Sequence, residues 1–260
     1  DDRLGAFPAP AESSEVPPVT TQSSDNPGFN WAVPTEFVTL PTGGRFYPAG
    51  HPLHNKDSVE IRYMTAKEED ILTSRSLLKE GVALDRLLQN ILVDKNINVN
   101  SLLVGDKNAL IVAARVTGYG ADYQTKVTCP ACMETEEFEF DLTEGRIANI
   151  QDALEEYGAR LTDQNTLVVE LPLSKVSVEC RFLTGEDEAQ MIKESQRKSR
   201  RKIEEGSLTD QFKRFIVSVN GDADPLTIVS FAQSMPARDS RHLRSFYAAA
   251  VPNLDLSQNF

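Results

Sequence analysis

Glu60-Ile61-Arg62-Tyr63-Met64-Thr65-Ala66-Lys67-Glu68-Glu69 and Glu179-Cys180-Arg181-Phe182-Leu183-Thr184-Gly185-Glu186-Asp187-Glu188 lie over one another at a shift of 119 (179 − 60). Glu, Arg, Thr and Glu recur at matching places, and most other pairs exchange like for like. Ser58-Val59 and Ser177-Val178 extend the match in the same register. Val59-Glu60-Ile61-Arg62-Tyr63 alternates apolar and polar residues, as a half-buried strand does. Thr65-Ala66-Lys67-Glu68 then forms a capping box, in which the carboxylate three residues on reaches back to the cap. Each copy therefore predicts a strand running straight into a capped helix.

The match resumes downstream at a larger shift. Ser101, Asp106, Leu110 and Asp122 align with Ser234, Asp239, Leu243 and Asp255, each pair 133 apart (234 − 101). The extra 14 residues (133 − 119) are expected in the helix around Lys193 to Glu205. Self-similarity at long period indicates a repeated supersecondary unit. The predicted fold is α+β, with two diverged pseudo-repeats, each a small β-sheet and a helical bundle ending in a zinc-ribbon-like hairpin. The expected boundaries are an extended Pro-rich arm over 1–35, repeat 1 over 36–145, a connector over 146–165 and repeat 2 over 166–260. At the shift of 133, Cys129 and Cys132 map to positions 262 and 265, just past Phe260. A second Cys-x-x-Cys is expected there, with repeat 2 truncated in this chain.

Within these bounds the pattern predicts a helix from Ala66 to about Leu78, a second over Leu84 to Leu92 and a third from Asp106 to Val116 closed by Gly118. Strands are predicted at Glu36–Leu40, Asp122–Thr128, Glu137–Phe140, Thr166–Leu171 and Lys175–Phe182, with a short helix over Asp152–Tyr157. Further helices are predicted at 185–203, 208–219, 225–234 and 239–250. Pro8, Pro10, Pro17, Pro18, Pro27 and Pro34 punctuate an opening segment without hydrophobic periodicity, the composition of an arm laid along a partner.

Cys129-Pro130-Ala131-Cys132 falls between two predicted strands. A Cys-x-x-Cys turn aims two thiolates at one point and suits a zinc knuckle, whereas the redox use of this spacing opens a helix. Cys129 and Cys132 are the candidate metal ligands, and one pair is half a site. Cys180 aligns with Ile61 and reads as a small buried hydrophobe. His51 and His54 lie in a loop, where a surface turn is the commoner explanation. Three cysteines do not make a disulfide framework, which favours folding in a reducing compartment.

The 260 residues carry a net charge of −12, which repels nucleic acid and anionic membrane. No run approaches the roughly 18 apolar residues of a membrane span. Lys193, Arg197, Lys198, Arg200, Arg201 and Lys202 make a basic helix, but Glu194, Glu204 and Glu205 beside them favour a solvated face or an acidic protein partner. No catalytic constellation is legible: His242 has no nucleophile near it in sequence, and Gly118-Tyr119-Gly120 lacks the strand–turn–helix setting of a phosphate loop.

Leu40-Pro41-Thr42-Gly43-Gly44-Arg45-Phe46-Tyr47-Pro48, Gly50-His51-Pro52, Met64 to Asp70, the Leu84 to Val93 helix, and Gly118-Tyr119-Gly120 leading into Cys129-Pro130-Ala131-Cys132 together resemble the baseplate hub subunit family of T4-like contractile-tailed bacteriophages. The resemblance covers most of 36–260. The second half is similar to that family's C-terminal half, where a further Cys-Pro-x-Cys follows an Asp-Leu-Ser-like stretch. Asp255-Leu256-Ser257 stands here at the end of the chain. The resemblance implies a non-enzymatic part of the phage tail, located in the virion baseplate and in the host cytoplasm during assembly. Its partners would be hub, wedge and tail proteins, with no nucleic acid, membrane or small-molecule substrate. An assembly chaperone absent from the mature particle and a zinc-ribbon transcription regulator are the alternatives.

Overall fold

The computed structural model describes residues 32–128, 132–200 and 208–257. The expected arm over 1–35 lies outside the described residues except at its last four positions, and Thr35 already belongs to a strand. The architecture is α+β, as the sequence predicts.

β1 (Thr35–Thr39) pairs antiparallel with β2 (Ser58–Arg62), Val38 opposite Val59. Val59 and Ile61 face the core from β2 while the residues between them are half-buried, which is the alternation seen in sequence. Two short helices follow where one was expected. α1 (Ala66–Thr73) stops at Ser74, and α2 (Arg75–Glu80) restarts and ends at Gly81 in the left-handed region. Ala66–Thr73 buries only Glu68, so no apolar stripe carries the helix straight through Ser74. α3 (Ala83–Ile91) has such a stripe in Ala83, Leu87, Leu88 and Ile91.

α4 (Val104–Tyr119) is longer at both ends than predicted, and it runs through Gly118. A Cβ on Gly118 would fall 2.0 Å from Met64 Cε, so this glycine lets α4 lie close to Met64 rather than ending the helix. β3 (Asp122–Thr128) and β4 (Thr135–Asp141) form a hairpin paired from Asp122↔Asp141 to Thr128↔Thr135. The connector holds β5 (Arg146–Ile147), α5 (Ile150–Tyr157) and β6 (Arg160–Leu161).

The second half opens with β7 (Leu167–Glu170) and β8 (Ser177–Cys180), then α6 (Gly185–Arg200) and α7 (Leu208–Phe215). The helix expected over 208–219 ends at Phe215, and Ile216–Val219 is strand β9. Phe212, Phe215, Ile216 and Val219 are all buried and spaced as one helix face, which is why the sequence reads as helix. β8 presents an edge, however, and the β-branched residues of β9 close it: Val178 pairs with Val219 and Cys180 with Ile216. The sheet order is β6-β7-β8-β9, antiparallel throughout. α8 (Pro225–Ser234), α9 (Ala237–Ala250) and β10 (Leu254–Asp255) complete the described chain, with β10 paired to β5.

One continuous core joins the halves, running from Leu40, Ile61, Leu88 and Leu110 to Val178, Phe212, Leu243 and Phe246.

Candidate functional site

Each half carries the same polar clasp where its strand enters its first helix. In the first, Arg62 holds Glu68 in a two-pronged bridge, Nη2 to Oε1 at 2.6 Å and Nη1 to Oε2 at 3.1 Å. The Thr65 amide and hydroxyl also donate to Glu68 Oε2, at 3.0 and 2.6 Å. In the second, Arg181 grips Asp187 at 2.7 and 2.8 Å, and the Thr184 amide and hydroxyl donate to Asp187 Oδ2 at 2.9 and 3.0 Å. The three residues correspond one for one at the shift of 119 (181 − 62). Burial alone would raise the Glu68 carboxyl; its bonds to Arg62 and Thr65 outweigh that and bring it down to about 2. Asp187 is lowered through the same opposition of burial and donors.

A second correspondence binds the hairpin to the last helix of each half. Asp106 and Asp239 are each the third residue of their helix, and both are fully buried. Asp106 Oδ1 accepts the amide of Thr42 at 3.0 Å, and Oδ2 accepts the hydroxyls of Thr42 and Tyr47 at 2.6 and 2.8 Å. Asp239 accepts the amides of Leu173 and Ser174, both at 2.9 Å. Burial pushes Asp106 above the usual carboxylate range. Asp239 is buried too, but the Leu173 and Ser174 donors hold it below that range. The segments gripped are Leu40-Pro41-Thr42 and Leu171-Pro172-Leu173, which match in sequence at a shift of 131 (173 − 42). Strand register agrees as well: Val38↔Val59 and Thr39↔Ser58 in one half, Val169↔Val178 and Glu170↔Ser177 in the other. The bridge Ile61–Leu92 answers the pair Cys180–Ile216, at a shift of 124 for the outer strand (216 − 92). The 14 extra residues are thus divided between the segment after α6 and α8, which stands where the first half has a single 3-10 turn, Val99–Ser101.

The halves meet through backbone. The Val104 amide donates to Leu183 O at 3.0 Å, and the Gly185 amide donates to Leu102 O at 2.8 Å. Lys107, nearly buried, lies between Asp85 at 2.6 Å and Glu188 at 2.9 Å. Burial opposes its charge, and the two carboxylates overcome that and raise it.

Of the predicted ligands, Cys132 is exposed at the turn of the β3–β4 hairpin, its Sγ 4.0 Å from Glu134 Oε2. Cys129 lies outside the described residues. Among the described residues no group of three or more His, Cys, Asp or Glu could hold a metal ion, so the pair supplies at most half of a tetrahedral zinc set. Cys180 is fully buried, and burial pushes its thiol up, as expected of a core residue. His51 and His54 are engaged in their own loop. His51 Nδ1 accepts the Leu53 amide at 3.1 Å, which leaves the ring proton on Nε2, facing Ser101 Oγ at 2.8 Å. In that tautomer the ring donates to the serine and cannot take its proton. His54 Nδ1 lies 2.7 Å from Tyr47 O. His242 packs against Tyr157, ring centroids 5.2 Å apart. From the basic helix, Glu194 reaches Arg214 at 2.6 Å across to α7, while Arg201 and Lys202 fall outside the described residues.

The geometry is thus that of a scaffold with two matching polar clasps and an exposed hairpin. Residues 34–237 match the family model described as T4 bacteriophage base plate protein. The chain belongs to the T4 bacteriophage base plate protein family. No curated protein and no solved structure matches it. As a baseplate protein it is part of the phage tail baseplate complex, with a structural role there. No helix among the described residues of this baseplate protein is long and apolar enough to cross a membrane.

Proposed function

We propose that this baseplate protein is a non-enzymatic bridge. Two diverged copies of one module, fused in one chain, present related surfaces that organise hub and wedge proteins around them. The carrying observation is the clasp pair, Arg62–Thr65–Glu68 and Arg181–Thr184–Asp187, built from the same groups in the same positions. Mass spectrometry of purified virions, with cross-linking, tests this. The expected result is a fixed stoichiometry and cross-links to hub or wedge proteins from both halves. Its absence from mature particles, with binding to hub proteins during assembly, would establish a chaperone instead. Steeply salt-dependent binding to nucleic acid would establish a regulator.

We further propose that the hairpin turn binds zinc through Cys129 and Cys132, with the remaining ligands supplied from outside the described residues. The pairing of Thr128 with Thr135 closes the hairpin around this turn and supports a knuckle. Elemental analysis of purified protein should find zinc that Cys132→Ser loses. Zinc-free protein of full stability overturns the assignment.

A further inference from the structure

The joint between the halves is heterologous: Leu102–Val104 of the first meets Leu183–Gly185 of the second. At the shifts of 133 (235 − 102) and 119 (183 − 64), the counterparts of these segments are Met235–Ala237 and Met64–Ala66. In both counterparts the last residue, Ala66 or Ala237, is exposed, and the two before it are half-buried. Gly185 is buried, and Ala66 is exposed. Lys107 is buried, whereas its counterpart Ser240 is half-buried.

We propose that the two outer segments make the same joint between copies, Met235–Ala237 of one chain docking on Met64–Ala66 of the next, so that chains associate head to tail. This rests on the duplicated-module reading above. A heterologous contact of this kind closes into a ring or runs on as a filament, according to its rotation.

The backbone chemistry fits. The internal joint uses the carbonyl and amide on either side of Leu103, whose own amide donates to Tyr47 Oη at 3.0 Å. Pro236 stands at that place in the second half; it has no amide, and the register requires none. On the facing segment the middle amide, that of Thr184, is taken by Asp187, and that of Thr65 is likewise taken by Glu68. The groups left for pairing are Met235 C=O, Ala237 N–H, Met64 C=O and Ala66 N–H, and none of the four has a backbone partner among the described residues.

Charge fits as well. Internally Lys107 meets Glu188. The counterpart of Glu188 is Glu69, exposed beside exposed Asp70; Ser240, the counterpart of Lys107, is flanked by exposed Arg238 and Arg241. Two departures bear on the spacing: α8 stands where the first half has the 3-10 turn Val99–Ser101, and Ala66 stands in place of Gly185. A Cβ on Gly185 would lie 2.8 Å from Val99 O, and Ala66 carries that Cβ, so the joint between chains sits slightly wider.

Sedimentation velocity on the whole chain over a concentration series tests the proposal, with Ala66→Pro and Ala237→Pro as probes. Both positions open a helix, where proline is tolerated, and both follow an extended residue, Thr65 at ψ 173 and Pro236 at ψ 143. Each proline removes one amide that the joint needs. The wild type should grow with concentration beyond a dimer, or close into a ring. Each variant alone should be monomeric with unchanged circular dichroism. An equimolar mixture should give a one-to-one dimer and nothing larger, because each variant keeps one intact end. If either proline variant does not fold, Glu69→Arg and Arg241→Glu are the second probe: each monomeric alone, and assembling again when mixed, because the reversed charges pair with each other. A wild type that stays monomeric up to its solubility limit overturns the proposal, as do folded variants that still assemble. The virion measurement is independent of this one, so the bridging role and the self-association fail or stand separately.

Discussion

Glu68 and Asp106 are buried acids with opposite responses to pH. Glu68 is lowered from 4.5 to about 2, so its contribution to stability is complete above pH 4.5 and is lost as pH falls through 2. That shift corresponds to up to about 3 kcal/mol, at roughly 1.4 kcal/mol per unit. Asp106 is raised, so its contribution is complete below the unfolded value near 3.8 and is lost as pH rises through its folded value. Denaturant unfolding across pH should therefore show Glu68→Gln flattening the acid limb and Asp106→Asn flattening the limb above pH 4. Curves parallel to the wild type would sink both assignments. Asp187 and Asp239, also lowered, keep some acid sensitivity in Glu68→Gln. Asp106 and Asp239 stood out in sequence as a matched pair without a role. The signal for one was present in Leu40-Pro41 and Leu171-Pro172, but which loop a helix acid grips is a long-range fact that no local pattern holds.

At the scale of elements, Gly105 and Gly118 sit on the same helix and make opposite demands. A Cβ on Gly105 would lie 1.8 Å from Pro252 O, a backbone atom that cannot swing aside. On Gly118 it would meet only the flexible end of Met64. Gly105→Ala should cost more than about 2 kcal/mol in thermal or urea unfolding. Gly118→Ala should be near neutral, since alanine gains about 1 kcal/mol of helix propensity. Equal effects would show that the helix does not pack as described. This contrast also marks where sequence was legible. Strand β3 and the strand–cap–helix junctions were readable because their signals are local. The sequence predicts too short an α4 because a packing glycine and a terminating glycine look alike until the partner is known. The sequence predicts helix for β9 because its buried residues satisfy helical spacing, and only the open edge of β8 decides against it.

For the molecule as a whole, the polar centre of the joint is Lys107, held by Asp85 from the first half and Glu188 from the second. Lys107→Met leaves two carboxylates facing each other without their cation. It should cost about 2 kcal/mol, less than the 3–5 kcal/mol of a fully buried pair because both acids are partly exposed. Hydrogen exchange should show the amides of Val104 and Gly185 losing protection before those of β2 and β8 do. Uniform loss across the chain would mean that the joint is no weaker than the modules it connects. The family was legible from motifs in the first half, whereas the partners of a baseplate protein belong to an assembled particle and are not written in the sequence of one chain.

The two hairpins differ in what they carry between their strands. β1 and β2 are joined by the long stretch 40–57, β7 and β8 by the short 171–176, yet the third residue of a helix, Asp106 for one and Asp239 for the other, holds the root of each. The fold thus holds both a long and a short connection at such a root. The short turn around Lys175, held at φ 58, is accordingly a natural graft point. A fluorophore-binding tag placed there should leave the fold intact and allow the protein to be followed by light microscopy as phage tails are built.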